Sequence, residues 1–126
     1  MLTEIQTDEA PGAVGPFSQA IRVGNLLFVS GALPIDPATG EFNSDDPVAQ
    51  AEQCLRNIAA IAQAGKTDLA NTVKTTVLLS DLGCFAEINK AYATFFGKPY
   101  PARACYQVAA LPKGAKVEIE AVIAIP

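Results

Sequence analysis

Residues 101–121 read PARACYQVAALPKGAKVEIEA. Two apolar runs flank Leu-Pro-Lys-Gly, whose proline and glycine mark a turn, so the stretch predicts two strands, around Arg103–Ala109 and Lys116–Ile125. Strands this apolar normally exclude charge, because an unpaired buried ion costs several kcal/mol or shifts its pKa until it is neutral. These two nonetheless carry Arg103, Glu118 and Glu120, together with Cys105. Side chains alternate along a strand, so Arg103, Cys105 and Gln107 share one face. In the last strand Lys116, Glu118, Glu120, Val122 and Ala124 share a face, and Val117, Ile119, Ala121 and Ile123 share the other. Antiparallel pairing of the two strands puts Arg103 and Cys105 over the same cleft as Glu118, although sequence leaves the register open. Each residue also has a plainer reading. An Arg and a Glu on neighbouring strands form an interface salt bridge more often than a catalytic pair. A cysteine such as Cys105 is most often a small buried hydrophobe, and Glu120 reads as a solvated or salt-bridged strand residue.

Working outward, Asp81 reads as the cap of a helix whose Phe85, Ile88, Tyr92 and Phe95 share a face and which ends at Gly97 before two prolines. Asn89 lies near that apolar stripe, where it could simply satisfy a backbone group. Val73–Leu79 is rich in β-branched residues and reads as a strand. Before it, Asp46-Pro47 opens a helix with an N-cap and a proline at the first helical position. Val48, Ala51, Leu55, Ile58 and Ala62 continue it as one apolar stripe, and Gly65 closes it as the residue after the cap. The stretch LPIDPATGEFNSDDP has loop composition. Ser18–Val23 and Leu26–Ser30 flank Gly24-Asn25, a two-residue type II′ hairpin turn. The order is ββ-α-β-α-ββ, with room for a short extra strand at the N-terminus. It predicts one α+β domain over residues 1–126, with a mixed sheet and two helices on one face.

Half of the residues are hydrophobic and 17% are charged, against roughly 25% in an average soluble domain. That shortage of polar surface means either that both sheet faces are covered within the chain or that part of the surface is buried between subunits. The second is the expectation. A net charge of −4 without a basic run offers no electrostatic footprint for nucleic acid. The absence of histidine removes the commonest metal ligand and general base, and every Ser-His or Cys-His pair. Cys54, Cys84 and Cys105 have neither disulfide-framework nor zinc spacing. No apolar run reaches the ~18–20 residues of a membrane span, and the acidic start MLTEIQTDEA is unlike a signal peptide, so the expected location is cytoplasmic.

Beyond composition, the motifs GPFSQA (15–20), FVSG (28–31), FAEINKAYATFF (85–96), PARAC (101–105), Leu-Pro (111–112) and VEIE (117–120) fall in the order and spacing of one family. The chain resembles the Rid (reactive intermediate deaminase) or YjgF family, known in older usage as a perchloric-acid-soluble ribonuclease, over essentially its whole length. The resemblance implies a chorismate-mutase-like fold assembled as a homotrimer, with sheets inside, helices outside and clefts between subunits. It implies hydrolysis of 2-imino acids, such as 2-iminobutanoate and 2-iminopropanoate, to 2-keto acids and ammonia, without metal or cofactor. By matching position, Arg103 holds the substrate carboxylate and the backbone of Cys105 adds a polar contact. Glu118 activates water or passes a proton to the departing ammonia, and Phe17, Ser30, Gly31 and Asn89 line the cleft. At Phe17 the best-known deaminases carry Tyr, so the ring is kept and a hydroxyl is lost. That loss sustains an alternative, a trimer that binds 2-keto acids without turning anything over. Ribonuclease activity, the reading attached to the older name, fits poorly with the charge and the missing histidine.

Overall fold

Gly24 takes φ 58° while Asn25 stays out of the left-handed region, as a type II′ turn requires. The turn joins β2 (Ala20–Val23) to β3 (Leu26–Ala32) with Val23 opposite Leu26. The computed structural model, which describes residues 1–126, adds β1 (Leu2–Ile5) antiparallel to β2. A small separate hairpin, β4 (Ile35–Asp36) and β5 (Glu41–Phe42), lies within the segment of loop composition. Then follow α1 (Pro47–Ala64), β6 (Thr72–Leu79), α2 (Phe85–Ala93), β7 (Ala102–Gln107) and β8 (Val117–Ala124). The six-stranded sheet runs β1-β2-β3-β8-β6-β7, with β6 and β7 parallel and the other pairs antiparallel.

This order overturns one expectation. The two strands of the 101–121 stretch do not pair with each other, because β6 lies between them and bonds to both. Leu111-Pro112-Lys113-Gly114 is accordingly part of a longer crossing connection and not a hairpin turn. It contains a short 3₁₀ turn in which Lys113 adopts a left-handed φ of 59°.

The helices form one layer on one face of the sheet. Leu27 and Val29 of β3, Val77 and Leu79 of β6, and Val117, Ile119, Ala121 and Ile123 of β8 point into it and are buried. They meet Ala51, Cys54, Leu55, Ile58, Ile61 and Ala62 of α1 and Ile88 and Tyr92 of α2 in one core cluster. The Tyr92 hydroxyl, which a buried ring must satisfy, lies 2.7 Å from Thr75 Oγ1 of β6.

Asp46 caps α1 as expected, accepting from the Ala49 N–H at 2.9 Å. The other end differs. Gly65 is the cap itself at φ −86°, and the left-handed residue after it is Lys66, at φ 66°. Lys66 N donates to Gln63 O and Thr67 N to Ala62 O, a complete Schellman pair. Glycine at 65 serves packing instead, since a Cβ there would stand 3.0 Å from the Leu27 side chain. In α2, Asp81 caps a 3₁₀ turn, Leu82–Cys84, that leads into the helix. The helix ends at Ala93, short of Gly97, because Thr94 N and Phe95 N bond to Ala91 O and Tyr92 O and tighten the last turn.

A second buried stripe on α1 is polar: Gln50, Gln53 and Asn57. Gln50 donates to Ser44 O and accepts from Lys116 N, and Asn57 Nδ2 donates to Leu33 O and Ile35 O. These amides tie the irregular 33–45 segment to the helix layer, satisfying backbone groups that no sheet ladder reaches.

Candidate functional site

Near the end of β3 the register with β8 slips. Val29 faces Ala121 and Ala32 faces Ile119, so Ser30 and Gly31 together oppose the single residue Glu120. Such a bulge re-aims side chains and bends the strand. It brings Gly31 against Glu118: a Cβ at residue 31 would lie 2.6 Å from Glu118 Oε2 and 2.9 Å from its carboxyl carbon. Only glycine leaves the carboxylate that space. Ser30 holds the preceding loop, its hydroxyl donating to Ser18 O at 2.6 Å and its N–H to Gln19 O at 3.0 Å. The Gln19 amide secures the same loop by bonding to Thr7, Ala10 and Pro11. That loop presents Phe17, whose ring is 53% exposed. Phe17, Ser30, Gly31 and Glu118 thereby line one cleft of about 530 Å³, joined by Glu120 and Lys113. Burial pushes the Glu118 carboxyl above its ordinary value, and the neighbouring charge of Glu120 pushes it further the same way.

Arg103 lies elsewhere. In the ladder it stands beside Thr75, which stands beside Ala121, and both of these point into the helix layer. Glu118 has the opposite strand parity, so one chain carries the arginine and the glutamate on opposite faces of the sheet. The intrachain salt bridge and the shared intrachain cleft are both excluded. Arg103 turns toward α2, where Nη1 donates to Asn89 Oδ1 at 2.7 Å. Its guanidinium carbon sits 4.9 Å from the Tyr92 ring centre and 5.4 Å from that of Phe85. These cation–π contacts hold the fork in place, and with one of its five N–H groups engaged by Asn89 it keeps donors for a planar anion. Arg103, Asn89, Tyr92 and Tyr100 line a second hollow of about 410 Å³.

Cys105 is half-buried two residues along the same face. Burial raises its thiol above the ordinary value, and Arg103 offsets part of that rise, so the thiol itself is not activated. Its backbone is the more available group. Val108 N bonds to Leu79 O at 2.9 Å, and backbone groups alternate sides along a strand, so the Cys105 N–H and C=O face the open edge of the sheet. Cys54 is fully buried with its thiol directed at Val117 O.

The anticipated residues thus fall into two sets: Phe17, Ser30, Gly31 and Glu118 in one cleft, and Asn89, Arg103 and Cys105 around the β7 edge. Glu120 and Lys113 in the first cleft were not anticipated. Glu120 is two residues from Glu118 on the same strand face, a spacing that pointed to it. Lys113 had no comparable signal, because its place follows from the left-handed turn. No three His, Cys, Asp or Glu side chains converge as a metal-binding group, and no helix is long and apolar enough to cross a membrane.

Residues 7–125 match the family described as Endoribonuclease L-PSP. A protein of Sinorhizobium fredii named RutC family protein y4sK is 72% identical over 125 residues, covering 99% of each chain. The human 2-iminobutanoate/2-iminopropanoate deaminase is 48% identical over 118 residues, 94% of this chain and 86% of the human one. Among solved structures, RidA from an Antarctic Psychrobacter superposes with a TM-score of 0.94 at 50% identity, covering 98% of this chain and 99% of that one. Escherichia coli TdcF, solved with bound serine, gives 0.92 at 40% identity, covering 98% and 99%. The fold, the ordered motifs and these matches agree: the chain belongs to the Endoribonuclease L-PSP family, the Rid or YjgF family.

Proposed function

We propose that this protein hydrolyses 2-imino acids such as 2-iminobutanoate and 2-iminopropanoate to 2-keto acids and ammonia, in clefts between the subunits of a cytoplasmic homotrimer. One observation carries the reading. The arginine set and the glutamate set are each well built, yet they lie on opposite faces of one chain, so a joint site needs a second copy. The sheet face away from the helices suits such contact, with Phe28 44% exposed between Ile21 and Val122 and Tyr106 56% exposed on the edge strand β7. Relatives at 48% identity named as deaminases of this kind support the chemistry.

In the combined cleft the Arg103 fork takes the substrate carboxylate through paired charge-assisted bonds. The outward N–H of Cys105 donates to the same end. Glu118 holds a water against the electrophilic imine carbon and accepts its proton as the C–O bond forms. That proton passes to nitrogen, giving a carbinolamine. Glu118 then relays the carbinolamine hydroxyl proton to nitrogen as the C=O forms and the C–N bond breaks, so ammonia leaves with the keto acid behind. A carboxyl raised by burial is better matched to this two-way transfer near neutrality than an ordinary one. General acid–base help of ~10²–10⁴ amounts to about 3–5 kcal/mol of barrier.

Co-expression of Arg103→Ala with Glu118→Gln tests both the chemistry and the shared site. Each variant alone should be inactive toward 2-iminobutanoate generated by a threonine dehydratase. Random mixing in a closed ring with sites between neighbours should restore about a quarter of the sites. No recovery in mixed oligomers defeats the shared cleft. Phe17, without a hydroxyl, favours the second reading, a trimer that binds 2-keto acids without turnover. Retained keto-acid binding with no acceleration by the wild type would select it. The acidic chain, with no histidine, gives no support to RNA cleavage.

A further inference from the structure

Behind the glutamate cleft lies a smaller chamber of about 80 Å³. It shares Gly12, Phe17, Ser30, Gly31, Leu33 and Ile35 with the cleft and so opens off it. Its inner walls, Ala32 on β3 and Ile61 on α1, belong to the chamber and not to the cleft. Three polar side chains border it: Ser30, whose hydroxyl donates to Ser18 O, and the buried Gln19 and Asn57. The two amides are already committed. Gln19 Oε1 accepts from Thr7 N while Nε2 donates to Thr7 O and Pro11 O. Asn57 Oδ1 accepts from Gln53 Nε2 while Nδ2 donates to Leu33 O and Ile35 O. Bound in this way they offer an entering group little but their apolar surfaces.

Resting on the deaminase reading, we infer that this chamber receives the substrate's side chain and selects 2-imino acids with aliphatic chains longer than one or two carbons. A single water-sized group needs ~10–15 Å³, so the chamber accepts roughly five to eight. The methyl of 2-iminopropanoate and the ethyl of 2-iminobutanoate leave most of it empty. A leucine- or methionine-derived side chain of four heavy atoms fills it far better, and the apolar surfaces of Leu33, Ile35 and Ile61 reward that fit.

The test uses imines made in situ by an L-amino-acid oxidase, with catalase present, from alanine, 2-aminobutyrate, leucine and methionine. Semicarbazide captures the remaining imine, so its loss to hydrolysis is read directly. Expected for the wild type is a rise in kcat/KM of about fourfold per added carbon that enters the chamber, up to the four-atom side chains. Ala32→Val, which fills the chamber from the sheet side, should cut the leucine-to-alanine ratio about tenfold. Ile61→Val, which enlarges it from the helix side, should hold or raise that ratio. Using ratios cancels any loss of folded protein. Hydrolysis of every imine at equal efficiency, or a ratio untouched by Ala32→Val, overturns the chamber while leaving the deaminase reading intact. No acceleration of any imine overturns both.

Discussion

At the scale of single residues, Gly31 and Glu118 form a unit. The Cβ of Gly31→Ala would occupy the place of the carboxylate, and a glutamate can yield by rotating away at little cost in folding. The expected outcome is a drop in deaminase kcat of at least about tenfold, with stability changed by no more than about 1 kcal/mol; paired kinetics and urea unfolding check it. Glu118 also ties stability to pH. Its folded-state carboxyl lies above the ordinary 4.5, so the folded chain holds that proton more tightly than the unfolded one. The contribution to stability is fully present below about pH 4.5 and is lost as pH rises through the elevated value. Relative to Glu118→Gln, the wild type should lose stability from about pH 4 toward neutrality. A difference curve that rises across that range contradicts the assignment. If the Arg103 fork takes the substrate carboxylate as proposed, Arg103→Ala should lower kcat/KM about a hundredfold or more while sparing the fold.

At the scale of elements, the ends of α1 show how local chemistry and packing divide the work. Asp46-Pro47 was legible because an N-cap and a proline act within one turn. Gly65 was misleading for a similar reason: glycine after a helix usually supplies the left-handed residue, whereas here it makes room for Leu27 and Lys66 takes the strain. Lys66→Gly should therefore raise stability by about 1 kcal/mol, and Gly65→Ala should lower it, both measured as shifts in urea midpoint. The polar stripe of Gln50, Gln53 and Asn57 escaped an apolar-periodicity reading, because its role depends on a distant irregular segment. The short hairpin of β4 and β5 was hidden by the loop composition around it.

For the whole molecule, the bare face of the sheet is the dominant feature. Phe28 and Tyr106 stand exposed there on a chain with only 17% charged residues. If copies meet on this face, Phe28→Asp should dissociate the assembly and abolish deaminase activity, since each cleft would lose its partner. Analytical ultracentrifugation alongside the coupled assay checks both effects. A fully active variant of unchanged mass would remove the face from the interface.

The sequence by itself determined the two helices, most strands and the layered α+β class, and it supplied the candidate site residues, because periodicity, caps and ordered motifs are local or nearly so. Tertiary structure decided which strands are neighbours. Inserting β6 between β7 and β8 is a pairing of segments far apart in the chain, and no local preference encodes it. With that insertion and the two-residue period of a strand, Arg103 and Glu118 came to occupy opposite faces. Both residues could be singled out one by one in the sequence, but their separation could not.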